Sequence, residues 1–278
     1  MNGQWIDIKA DDGKSFSGYL SLPPKSRLDK APGIVLVQEI WGVNQHIRDV
    51  ADTYALDGFV VLAPDIFWRQ QPRVDLDYND VDTPKAFAYL TALDRPQAAR
   101  DVAAAATTLR THAACNGRVA SVGYCMGGAM SYMNAALGSV DAAVCYYGGG
   151  IPNMLDRAAD IKVPVLMHFA EQDHYLPMPD VAKVQAAFAG RDNVRIDIYG
   201  GVDHGFNCWG RPVYNQKAAA LARASSARWS SPRTTAASPA SRRSSWTRPS
   251  CLRRGGIGTA TSWSSWMPPG PCGSSESR

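Results

Sequence analysis

The chain has 278 residues, of which 45% are hydrophobic, 9% aromatic and 19% charged, enough to bury one large core and too apolar for a wholly disordered protein. Its formal charge of +4 is unevenly placed: residues 225–278 hold eight arginines against one acid, Glu276, so residues 1–224 are net negative. A slightly acidic body lacks the clustered Lys and Arg that phosphate binding needs, which argues against a nucleic-acid partner. Six cysteines without CxxC spacing argue equally against a disulfide scaffold.

The amino-terminal run Met1–Ile8 lacks the basic start and apolar stretch of a secretory signal, and no later stretch approaches membrane-spanning length. A cytoplasmic protein with no membrane partner is expected. Trp5–Lys9 and Phe16–Leu20, separated by Asp11-Asp12-Gly13, read as a hairpin laid on a sheet edge. Apolar runs of strand length follow at Gly33–Gln38, Phe59–Ala63, Val119–Tyr124, Ala142–Tyr147 and Pro164–Ala170. They lack apolar-polar alternation, as strands of a parallel sheet covered on both faces do. Val194–Tyr199 alternates and reads as the last, more exposed strand. Helical spacing lies between them, at Ile47–Leu56, Gln97–Leu109, Ala129–Leu137 and Val181–Phe188. Strands alternating with helices predict an α/β protein with a mostly parallel, doubly wound sheet.

Past Ala224 the pattern changes. Lys and Asp disappear, Ser, Arg, Pro and Trp dominate, and no apolar period persists. Residues 1–224 therefore read as the catalytic domain. Residues 225–278 read either as a disordered basic tail or, the preferred expectation, as a frame-shifted stretch that interrupts an amphipathic helix begun near Tyr214.

Gly123-Tyr124-Cys125-Met126-Gly127-Gly128 follows a buried strand and precedes a helix of small residues, which gives it the form of a nucleophile elbow with cysteine in place of serine. Glycine two positions before and after the nucleophile is needed because a Cβ there would collide with neighbouring backbone. A cysteine at a helix amino terminus gains from the free N–H groups and the dipole, whereas the ordinary alternative is a buried structural thiol. The fold supplies partners in the order nucleophile, acid, histidine. Asp173 lies just past the Pro164–Ala170 strand and His204 in a glycine-bounded loop after the last strand, both at strand carboxyl ends where open α/β sheets bind ligands. His168 falls inside an apolar strand and reads as a core residue, His46 and His112 as solvated helical residues, and His174 as the rival base. Gly148-Gly149-Gly150 lacks both the spacing and the lysine of a phosphate loop, and a hydrolase working through these three residues is expected to need no cofactor and no metal.

Gln38-Glu39-Ile40-Trp41-Gly42, Ala63-Pro64-Asp65, Gly123–Gly128, Tyr146-Tyr147-Gly148, Gln172-Asp173-His174 and Asp203-His204-Gly205-Phe206 occur in this order over residues 5–224. Together they resemble the dienelactone hydrolase family, whose fold is the α/β-hydrolase fold. The resemblance implies a carboxymethylenebutenolidase-type activity on dienelactones from aromatic-compound catabolism. It also implies that Glu39 interacts with the Cys125 nucleophile and that the backbone N–H groups of Ile40 and Met126 form the oxyanion hole. Best-known members hold the lactone's carboxylate with arginines, one of them four residues past the catalytic histidine. This chain has Cys208 there, and its nearest arginine is Arg211. Arg69 and Lys85, in the insertion between Asp65 and Gln97, stand as replacements, with Trp41, Tyr146 and Phe206 as further substrate contacts. A monomer acting on a small lactone or ester is expected. The alternatives are a general carboxylesterase or thioesterase of the same fold, and a non-catalytic small-molecule binding protein on this scaffold.

Overall fold

The computed structural model describes residues 3–24 and 30–230 of the chain. Among the described residues eight strands form one sheet: β1 Gln4–Lys9, β2 Ser15–Ser21, β3 Ala31–Val37, β4 Val60–Pro64, β5 Cys115–Tyr124, β6 Ala142–Tyr146, β7 Val165–Ala170 and β8 Val194–Tyr199, in the spatial order β1-β2-β4-β3-β5-β6-β7-β8. The β1–β2 hairpin pairs antiparallel and β2 pairs antiparallel with β4, while every pairing from β4 to β8 is parallel. β3 to β7 are buried throughout or nearly so, which explains why they read as continuous apolar runs.

Among the described residues there are six α-helices, most of them packed on the two faces of the sheet. Helices α1 (Gln45–Leu56) and α6 (Gln216–Ser230) pack on one face with the cluster of Ile34, Leu36, Tyr124, Val144 and Phe206. Helices α3 (Arg95–Thr111) and α4 (Met126–Leu137) pack on the other, with Val35, Val37, Val119, Ala143 and Met167, and α5 (Met178–Ala187) lies over a 3₁₀ segment at Ile151–Asp160 on that side. The ends follow local chemistry: Asn44 and Asp94 each accept a hydrogen bond from the N–H three residues on, opening α1 and α3. Gly138, at φ +68°, closes α4 in the left-handed conformation that its missing Cβ allows.

The structure adds two elements without a strong sequence signature, the 3₁₀ segment and α2 (Thr83–Thr91), which lies in the insertion before α3. The expected domain boundary at 224 falls inside α6, which runs on to Ser230. Ser226 is wholly buried there, with its hydroxyl between the Tyr146 hydroxyl at 2.7 Å and His168 Nε2 at 3.0 Å. Residues 231–278, on which the expectation of a disordered or frame-shifted tail falls, lie outside the described residues. Among the described residues no helix is long and apolar enough to cross a membrane.

Candidate active site

Cys125 sits between β5 and α4 with φ +55° and ψ −118°, a backbone conformation that L-residues rarely adopt and that persists only where its surroundings enforce it. Its N–H donates to the Tyr146 carbonyl at 3.0 Å, and its own carbonyl accepts from Gly128 and Ala129. The two flanking glycines are steric necessities. A Cβ on Gly123 would stand 1.9 Å from the Gly127 carbonyl oxygen, and one on Gly127 would stand 2.3 Å from that of Val37. Both obstacles are backbone. Gly123→Ala is therefore expected to cost about 3 kcal/mol or more of stability, at or beyond the top of the usual overpacking range. Denaturant titration checks this, and wild-type stability with full activity would contradict the elbow geometry.

Three strand ends deliver the other groups. Asp173, past β7, is buried; its Oδ1 accepts the N–H groups of Tyr175 at 2.9 Å and Leu176 at 3.0 Å, and its Oδ2 lies 2.7 Å from His204 Nδ1. His204 is also buried, in the loop after β8, and its Nε2 has no hydrogen-bond partner within the protein. Burial alone would lower the imidazole, but the facing Cys125 sulfur and the Asp173 carboxylate outweigh it and raise His204 to about 10. The rival His174 is exposed and lies 3.4 Å from Asp203.

A cavity of about 610 Å³ opens over Cys125 and His204, with Ile40, Trp41, Met126, Tyr175, Arg95 and Arg211 in its wall. Met126 opens α4, so its N–H has no partner within the helix and is free to face the cavity. Glu39, at the end of β3, is 1% exposed; its Oε2 accepts from the Tyr78 hydroxyl at 3.1 Å, and Arg211 Nη1 lies 3.9 Å from its Oε1. Arg211 reaches this place across Gly205, at φ +86°, where a Cβ would lie 2.0 Å from the guanidinium. The guanidinium carbon is 5.1 Å from the centre of the Trp41 ring, within cation–π range.

Several expected contacts lie elsewhere. Arg69 is not in the cavity wall: its guanidinium spans Asp101 at 2.8 and 2.9 Å and Asp12 at 2.7 Å, so its donors are consumed in a structural ion pair. Lys85 is exposed on α2 and pairs with Asp82 at 2.8 Å. Tyr146 is wholly buried beneath α6, and Phe206 packs between Tyr147 and Tyr199 in the core. His46, expected to be solvated, is 7% exposed because Trp209 packs edge-on at 4.2 Å and Tyr78 at 6.0 Å; burial holds its imidazole below the ordinary range. His168 is a core residue satisfied on both ring nitrogens, by Ser226 and by the Tyr199 hydroxyl. Tyr78, Tyr175 and Arg95 were not anticipated; each comes from a loop or helix start whose reach no periodicity encodes.

A strained cysteine elbow, a paired acid and histidine, and a parallel sheet in this order define an α/β-hydrolase. The profile of the dienelactone hydrolase family matches residues 16–231. A provisionally named carboxymethylenebutenolidase of Azospirillum brasilense is 37% identical over 222 residues, covering 78% of this chain and 93% of that protein. The carboxymethylenebutenolidase of Pseudomonas putida is 34% identical over 223 residues, covering 80% and 93%. The solved structure of a provisionally named dienelactone hydrolase from Klebsiella pneumoniae superposes with a TM-score of 0.74 at 26% identity, covering 82% of this chain and 98% of that one. The chain belongs to the dienelactone hydrolase family, and thus to the carboxylic ester hydrolases.

Proposed function

We propose that the protein hydrolyses a lactone or ester that carries its own carboxylate, a dienelactone of aromatic-compound breakdown being the first choice, in the cytoplasm and through Cys125 as nucleophile. The observation that carries this is the presence of Arg211 in the same cavity wall as Cys125 and His204. Sulfur attacks the carbonyl carbon. The developing oxyanion is met by the N–H groups of Ile40 and Met126, and His204, already an imidazolium, donates its proton to the leaving alkoxide. Water then attacks the thioester, with neutral His204 taking its proton, and releases the acid. Asp173 holds the ring in the tautomer that these transfers need. Glu39 rests beside Arg211 and Tyr78; a substrate carboxylate that takes Arg211 displaces Glu39 toward the thiol, whose proton it then accepts and gives back to the Cys125 thiolate released when the thioester is hydrolysed.

Arg211→Met separates this from a general esterase. A charge-assisted hydrogen bond contributes about 1.5–3 kcal/mol, so kcat/KM for a dienelactone should fall about 10–100-fold. Hydrolysis of p-nitrophenyl acetate, which has no carboxylate, should change much less. Equal losses on both substrates would remove Arg211 from carboxylate recognition and favour the general esterase.

A further inference from the structure

Three residues from different segments of the chain converge at a second place. A carboxylate oxygen of Glu39, a ring nitrogen of His46 and the Cys208 sulfur lie within 4.8 Å of one another, and all three residues are buried. Glu39 follows β3, His46 lies in the first turn of α1, and Cys208 belongs to the long loop after β8, so the sheet's carboxyl edge assembles the cluster. Two atoms are left in an unusual state: Glu39 Oε1 and His46 Nδ1 are buried without a hydrogen-bond partner, on residues more than nine-tenths buried. Buried polar groups are ordinarily satisfied, and two orphans in one cluster point to a ligand able to satisfy both.

Carboxylate, imidazole and thiol are the donor set of zinc-type ions, which bind sulfur at about 2.3 Å and nitrogen or oxygen at about 2.0–2.2 Å. Around one tetrahedral centre such atoms stand roughly 3.3–3.8 Å apart, so the cluster needs to contract by about 1 Å. That is within the reach of side-chain rotation. Arg211 is Glu39's counter-ion without metal; with a dication bound and Cys208 ionised, two anions offset its charge. Binding forms a metal–sulfur bond and releases the Cys208 thiol proton to solvent. A fourth ligand position is left for water.

We propose that Glu39, His46 and Cys208 form a binding site for a divalent transition metal of the zinc type, and that a metal held there withdraws Glu39 from the catalytic centre and inhibits the enzyme. The binding claim stands on the cluster alone, whereas the inhibition claim rests on the role given to Glu39 above.

Cobalt titration of the purified, metal-stripped full chain tests both. One equivalent of Co²⁺ should produce a thiolate-to-cobalt charge-transfer band, displaced by Zn²⁺. The band should persist in Cys125→Ser, disappear in Cys208→Ser and require at least tenfold more cobalt in His46→Gln. Absence of the band in wild type, or its survival in Cys208→Ser, overturns the site; so does its loss in Cys125→Ser, which would place the metal on the nucleophile. Should Cys208→Ser fold poorly, His46→Gln decides alone: unchanged cobalt affinity overturns the site. Zn²⁺ should raise the melting temperature of wild type and inhibit hydrolysis, with both effects weakened at least tenfold in zinc concentration in Cys208→Ser. A cobalt band without inhibition keeps the site and overturns the assignment of Glu39 to turnover.

Discussion

Cys125→Ala should lower kcat/KM for lactone and ester substrates by about 10³-fold or more, because removal of a nucleophile leaves only binding and oxyanion stabilisation. Its stability should be close to that of wild type. Alanine keeps the Cβ, so the variant inherits the same φ of +55° and relieves no strain, and the side-chain interaction it gives up is the one with the His204 imidazole. Cys125→Ser should retain a trace of activity, since the N–H groups of Ile40 and Met126 remain while the hydroxyl is the poorer nucleophile. Steady-state kinetics with a dienelactone and with p-nitrophenyl acetate, beside circular dichroism, checks the pair. Wild-type turnover by a folded alanine variant would remove Cys125 from the chemistry.

The sheet was legible because its strands are buried on both faces, and continuous apolar runs such as Ile34–Val37 and Val165–Ala170 are the one-dimensional trace of that burial. The elbow was legible for a different reason: Gly123 and Gly127 are fixed by backbone collisions at a spacing of four residues, so the geometry is written locally. Asp173 and His204 could be placed because the fold orders its site residues along the chain and each falls just after a strand. What stayed hidden was the outcome of competition among surface charges. Arg69 and Lys85 looked as available as Arg211, and only the tertiary structure shows that Asp101 and Asp12 claim the first, Asp82 the second, and Gly205 opens the path for the third. Periodicity failed similarly for His46, whose place in the first turn of a helix reads as solvated until Trp209, 163 positions away, is packed against it.

Asp173→Asn is expected to have the second large effect, a loss of about 10³–10⁴-fold in kcat, together with a displaced pH profile. Asn can keep its carbonyl oxygen on the N–H groups of Tyr175 and Leu176, as Asp173 Oδ1 does now at 2.9 and 3.0 Å, so the loop should hold. Its amide then faces His204 Nδ1 with a donor where the carboxylate offered an acceptor 2.7 Å away, and the ring is driven to the wrong tautomer. In the wild type His204 stands at about 10, because the Cys125 sulfur and Asp173 together outweigh the opposing effect of burial. The imidazolium is therefore the form present at neutral pH, and activity should fall as pH rises through about 10 and the proton donor for the leaving group is lost. That limb belongs to the coupled Cys125–His204 pair. Without Asp173 the limb should move to lower pH. Stability follows the same sign: a folded-state value raised above the ordinary 6.5 contributes stability that is full below pH 6.5 and is lost as pH rises through about 10. The stability gap between wild type and Asp173→Asn should accordingly narrow across that interval. Measuring kcat/KM and the denaturation midpoint of both proteins from pH 6 to 10.5 tests the argument; a high-pH limb that stays in place in the variant would mean that Asp173 does not set the charge of His204.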